Sequence, residues 1–230
     1  MKSWVLAITV MVAILIAVIV RIKNWVQGEW FRKLLHFVCL IILGVWVWSH
    51  ETWWESVIGM LLFVIVLFPV LKVLERRKWF EKFLAARKKG ELANSLLIVG
   101  GMFIIITLCC QGLFDSKLLT IASIYAWGPG DAAAALIGKK FGKHKLRGEK
   151  SLEGTLAMFL TSFACVFLLL LLGSGFPLVP VIITAIVTAD VAAATELYSK
   201  NGNDTIICPV ASMIALIVML CVTGNLALPF

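Results

Sequence analysis

The chain has 230 residues, 61% of them hydrophobic and only 15% charged, with a mean hydropathy of +1.01 and a formal net charge of +8. A soluble domain carries about a quarter of its residues as charges, so a water-covered globule is excluded. Backbone in lipid must close its own hydrogen bonds, which leaves helices or a closed barrel. The apolar runs approach twenty residues without the alternating polarity of barrel strands. The expected fold is therefore all-α, a polytopic membrane protein of about eight transmembrane helices.

In chain order the spans are expected at 3–20, 34–49, 56–74, 92–110, 118–137, 155–172, 177–196 and 206–228. Each is close to the roughly twenty residues that cross a hydrocarbon core. The first carries Arg21 and Lys23 where a cleavage site would sit, so it reads as a retained anchor. With this segmentation, nineteen of the 21 Lys and Arg residues fall on one side, and only Lys2 and Lys117 on the other. The positive-inside rule places the basic side in the cytoplasm and both termini outside. Cys39, Cys109, Cys110, Cys165, Cys208 and Cys221 lie in or beside apolar spans with no CxxC pair, and read as packing residues. No linker, low-complexity tail or repeat divides the chain, so a single integral membrane domain, 1–230, is expected.

In such a chain the informative residues are the polar ones that the apolar pattern does not need. They gather in three places on the basic side. The first is EWFRKLLHF, where Arg32 and His36 are four residues apart and Lys33 and His36 three apart, so one helical face presents two cations and an imidazole. This is either a juxtamembrane anchor on anionic lipid or an anion site.

The second and densest is WGPGDAAAALIGKKFGKHKLRGEKSLEGT. Pro129 between Gly128 and Gly130 predicts a kink or break. Asp131 follows at once, a carboxylate that at membrane depth needs a cation or a wet cavity. Four alanines then allow close helix approach. Six cations follow from Lys139 to Lys150, including Lys140, Lys143 and Lys145, interspersed with Gly138, Gly142 and Gly148. Glycines let backbone amides curl around an anion, and Ser151 can cap the next helix, whose N-terminus, running on through Glu153 and Gly154, favours negative charge. A carboxylate for a divalent ion with cations and a helix N-terminus for phosphate suits a nucleoside triphosphate or a phospholipid headgroup.

The third is TADVAAATELYSKNGNDTIICP. Asp190 lies within a span and Glu196 near its end; six residues apart, they lie about 120° apart around a helix and cannot share one partner while it stays wound. Asn203 and Asp204 suit a turn before Pro209 opens the last helix.

GDAAAALIGKKFGKHKLRGEKSLEGTLAMF resembles the signature of the CTP-dependent lipid alcohol kinases, the family of yeast-type diacylglycerol kinase, dolichol kinase and phytol kinase, distantly similar to phosphatidate cytidylyltransferase. RKLLH and ELYSKNGNDTIICPVAS resemble that family's basic-histidine and late acidic segments. The likeness covers about 32–212, which is the expected catalytic core. Two features depart from the pattern: Asn203-Asp204 stands where Asp-Asn is usual, and Pro129 is unexpected. The resemblance implies transfer of the γ-phosphate of CTP to a lipid alcohol, either diacylglycerol or a polyprenol- or phytol-type isoprenoid. It gives roles to Arg32, Lys33, Asp131, Gly138 and the stretch 139–154, with His36 beside them. The implied phosphate-binding set is Gly130, Gly138, Lys139, Lys140, Gly142, Lys143, Lys145, Lys150, Ser151 and Gly154. The implied cofactor is Mg²⁺, for which Asp131, Glu153, Asp190, Glu196 and Asp204 are the candidate carboxylates, Asp131 being alternatively a general base. A cytidylyltransferase and a membrane transporter are the competing readings. The expected partners are nucleotide, lipid alcohol and bilayer, with no nucleic acid, and a homo-oligomer is compatible with the sequence.

Overall fold

A computed structural model of the protein describes residues 3–23, 28–77, 80, 90–199 and 204–227. Helices α1 (Ser3–Ile22), α2 (Gly28–Ser49), α3 (Trp53–Leu74) and α4 (Glu91–Thr107) come first, and α4 continues as a wider π-helical turn over Leu108–Leu113. Helix α5 (Lys117–Phe141) leads into a small antiparallel hairpin, β1 (Lys145–Arg147) and β2 (Lys150–Ser151), with Lys145 opposite Ser151 and Arg147 opposite Lys150. Helices α6 (Leu152–Gly173), α7 (Leu178–Tyr198) and α8 (Asp204–Val222) complete the chain.

Each expected span meets a helix, though the last, 206–228, outruns its helix, which ends at Val222. Among the described residues, six helices are long and apolar enough to cross a membrane: Trp30–Ser49, Trp53–Leu74, Glu91–Leu113, Leu152–Gly173, Leu178–Tyr198 and Thr205–Val222. The apolar stretch of α1 is the shorter Val5–Arg21, and α5, which carries the GPGD segment, is not among the six. The protein is thus an all-α polytopic membrane protein. Its solvent is visible on α3, where Leu61, Leu62, Phe63, Ile65, Val66 and Val70 are all exposed. A helix this apolar, exposing so much of its surface, is stable only where lipid replaces water.

The chain forms two compact units, Met1–Ile105 and Ile106–Phe230. In the first, the α2–α3 turn is pinned by Trp46, whose indole N–H donates to Ser56 O at 3.2 Å. Gly59 makes room for that ring, since a Cβ there would stand 3.0 Å from Trp46 Cζ2. Gly100 of α4 serves the same purpose against Val64 of α3, where a Cβ would come within 2.7 Å of Val64 Cγ2. Glu75 caps α3 and reaches across to α4, its Oε1 accepting from Leu92 N at 2.8 Å and Ala93 N at 3.4 Å. A carboxylate at a helix N-terminus satisfies amides that have no intrahelical partner and meets the positive end of the dipole. Of the basic segment between these helices, residues 78, 79 and 81–89 lie outside the described residues.

In the second unit α5 packs on α6, α6 on α7 and α7 on α8, and α8 returns to α5. Short connections make neighbours antiparallel in such a ring. The C-termini of α5 and α7 and the N-termini of α6 and α8 therefore share one end. Of the kink or break expected at Pro129, the break does not occur: α5 is continuous from Lys117 to Phe141. Proline removes one backbone donor, and a packed neighbour lets a membrane helix tolerate the loss. Here α6 supplies that neighbour, since a Cβ on Gly130 would come within 2.6 Å of both Met158 Sδ and Ser162 Oγ. Helix α8 begins at Asp204, five residues before Pro209, so that proline sits inside the helix.

Candidate functional site

The signature segment builds the junction between α5 and α6. Ser151 adopts extended backbone at the N-cap of α6 and its Oγ accepts from Gly154 N at 3.2 Å. Gly142 ends α5, its N–H donating to Gly138 O at 3.1 Å. A Cβ on Gly138 would stand 3.3 Å from Ser151 Oγ and 3.5 Å from Gly154 Cα, and one on Gly154 would stand 3.0 Å from Ala134 O. Gly130, Gly138, Gly142 and Gly154 are thus explained first by close helix approach. Asp131, Gly138 and Gly142 are spaced i, i+7 and i+11, which puts the carboxylate and the glycine junction along one stripe of α5. Asp131 is half-buried and lies about 10 Å along the helix from Gly138 at the usual rise.

Two amides at the α6 N-terminus are already used within the chain. Leu152 N donates to His144 O at 2.8 Å, and Gly154 N is taken by Ser151. An anion at this end would therefore meet side-chain cations more than free amides. Lys139, Lys140, Lys143 and Lys145 are exposed. The Lys140 ammonium sits 5.1 Å over the Phe141 ring, and Lys145 Nζ donates to Glu149 O at 3.0 Å.

The candidate carboxylates separate. Glu153 receives His144 Nδ1 on its Oε1 at 2.8 Å and His144 N at 3.3 Å, closing the base of the hairpin on α6. Glu196, buried at 8% exposure, pairs through Oε1 with Lys150 Nζ at 2.8 Å. Asp190 is exposed on α7 while Glu196 is buried, and on this continuous helix the two lie on different faces. Asp204 opens α8 but its side chain, like the whole of Asn203, lies outside the described residues. Among the described residues no three His, Cys, Asp or Glu side chains gather to hold a metal ion.

Arg32, Lys33 and His36 belong to the first unit and are half-buried on α2. Arg32 Nη2 lies 3.5 Å from Glu91 Oε1 at the start of α4. The sequence singled out His144 and Arg147 only as members of the stretch 139–154, and it gave no sign of a role for Tyr198. The Arg147 guanidinium lies 5.0 Å over the Tyr198 ring, a contact between residues 51 apart in sequence that no local pattern announces.

No family model matches the chain, and no solved structure matches it significantly. A curated relative does: the chain is 30% identical over 196 residues to a phytol kinase from Synechocystis sp., an alignment covering 80% of this chain and 77% of that protein. With a likeness of that extent running through the GDAAAALIGKK segment and the membrane helices around it, the chain belongs to the family of lipid and isoprenoid alcohol kinases that includes phytol kinase.

Proposed function

We propose that the protein transfers the γ-phosphate of CTP to the hydroxyl of an isoprenoid alcohol of the phytol or polyprenol type, at the cytoplasmic face of the membrane. The observation that carries this is the single stripe on α5 linking Asp131 to the glycine junction and the lysine-rich turn, inside a chain akin to phytol kinase. Phosphoryl transfer has a loose transition state, so positioning and charge neutralisation matter more than a strong base. Lys139, Lys140 and Lys143 would draw the triphosphate to the end of the bundle, and Asp131 would meet its reacting end deeper along the helix. The resemblance also assigns Arg32 and Lys33 to phosphate or the departing nucleotide.

The donor set suits Mg²⁺ that arrives with nucleotide. Such an ion takes one or two carboxylates and fills its shell with phosphate oxygens and water, so a three-residue protein cage is not required. Asp131 would hold it, with Asp190 as a second candidate, since Glu153 and Glu196 are engaged by His144 and Lys150. Bound there, Mg²⁺ would neutralise charge on the transferring phosphate. The basic end of the bundle, carrying Lys139 to Lys150, supports a cytoplasmic site with both termini outside.

The test is purified protein in nanodiscs with γ-labelled CTP or ATP and a panel of phytol, a longer polyprenol and diacylglycerol. Label is expected on the isoprenoids, with CTP the better donor. Label on diacylglycerol alone would overturn the choice of acceptor, and equal or better transfer from ATP would overturn the choice of donor.

A further inference from the structure

We propose that Lys150 and Glu196, assisted by Arg147 and Tyr198, form a clasp that fixes the basic hairpin to the C-terminal end of α7, which makes Lys150 and Glu196 positioning residues for the nucleotide instead of phosphate and metal ligands. The clasp is read from geometry alone; its consequence for nucleotide binding rests on the kinase reading above.

Lys150 Nζ makes two contacts with one residue. It lies 2.8 Å from Glu196 Oε1, and it also donates to the Glu196 backbone carbonyl. An ammonium has three donors, so two are spent here and Lys150 is poorly placed to act as a point charge on phosphate. The carbonyl partner has its own reason to want a cation. The last four carbonyls of a helix lack intrahelical donors, and α7 ends at Tyr198. Thr195 O is satisfied by Ser199 N at 2.9 Å and Ser199 Oγ at 2.6 Å. Glu196 O takes Lys150, a cation at the negative end of the helix dipole.

Burial makes the pair obligatory. The Glu196 side chain is 11% exposed and that of Lys150 25%. A carboxylate withdrawn this far from water is tolerated only with a hydrogen-bonded countercharge, and removing one partner strands the other. One turn away, Arg147 lies over Tyr198 at 5.0 Å, a second and more exposed grip by the same hairpin on the same helix end. On its other flank the hairpin is tied to α6 by His144 through Leu152 N and Glu153. The turn bearing Lys143, Lys145 and Arg147 is therefore held between the start of α6 and the end of α7. Its cations are presented at a set height above the α5–α6 junction.

Two readouts on the full-length protein test this. The first is limited trypsin digestion, scored by mass spectrometry at Lys145 and Arg147, which reads the opening of the hairpin whatever the enzyme does. Glu196→Gln and Lys150→Met should each speed cleavage about tenfold, because proteolysis tracks the open population, and the exchange Lys150→Glu with Glu196→Lys should restore much of the protection. Tyr198 is exposed, so its variants fold in any case: Tyr198→Leu should speed cleavage, and Tyr198→Phe, which keeps the ring, should not. The second readout is kinetic. Glu196→Gln should raise the KM for nucleotide about tenfold while the KM for alcohol stays put, the signature of lost uniform binding. Unchanged cleavage at the hairpin in Glu196→Gln and Tyr198→Leu would refute the clasp. Faster cleavage with an unmoved nucleotide KM would refute the positioning role. If the parent protein phosphorylates no lipid alcohol, the kinase reading fails and the positioning role falls with it, while the digestion still decides the clasp.

Discussion

Asp131→Asn is expected to lower turnover by about a hundredfold or more, the scale seen when one pre-placed charge-stabilising group is removed. The amide keeps the shape of the carboxylate, so packing beside Gly130 and the buried Ala132 and Ala134 is undisturbed. What is lost is a negative charge on the stripe that leads to the glycine junction. Phosphate transfer at saturating Mg²⁺ measures the effect, with helical content and gel filtration as controls for folding. Near-normal turnover would show that Asp131 is structural, and that the carboxylate serving the nucleotide lies elsewhere.

Gly142→Ala is expected to be strongly destabilising. The Gly142 backbone, at φ −66°, accepts any residue, so conformation is not the obstacle. Space is. The added Cβ would run into the Gly138 carbonyl and stand 2.5 Å from Ser151 Oγ and 2.9 Å from Ser151 Cβ. Backbone and a capping side chain cannot swing aside as the tip of a flexible side chain can. Relief must open the α5–α6 junction or pull Ser151 from Gly154 N. Overpacking of this kind costs about 1–3 kcal/mol, and the lost cap adds about 1 kcal/mol more. Thermal inactivation should therefore move down by several degrees, with activity falling at temperatures where the protein remains folded. Gly101→Ala is the control: a Cβ there meets nothing within 4 Å, so stability should hold or rise slightly. Equal behaviour of the two variants would contradict the close junction.

What the sequence made legible follows from the range of each interaction. Span positions rest on apolar runs of local sequence, and each expected span meets a helix. The Ser151 cap is legible for the same reason, since its partner is three residues away. Continuity of α5 through Pro129 was not legible, because it depends on Met158 and Ser162 of another helix. Glu75 is a further case. In sequence it is one acidic residue before a basic run, and its role as the cap of α4 appears only when Leu92, 17 residues on, is brought to it. Naming Glu153 and Glu196 as candidate metal ligands likewise took no account of partners supplied by the fold. Their partners, His144 and Lys150, come from a hairpin whose docking spans nine residues in one case and 46 in the other. Composition and motif identify acidic residues that need a partner, but only the fold says which partner each one has.

The most direct measurement of the central claim follows both ends of the nucleotide at once. Purified protein is given phytol and CTP carrying distinct labels at the α- and γ-phosphorus, and the lipid and nucleotide products are separated. A kinase attacks the γ-phosphorus, so the expected result is γ label alone in the lipid and α label in CDP. Cytidine and α label in the lipid, with γ label leaving as pyrophosphate, would contradict phosphoryl transfer and make the protein a cytidylyltransferase.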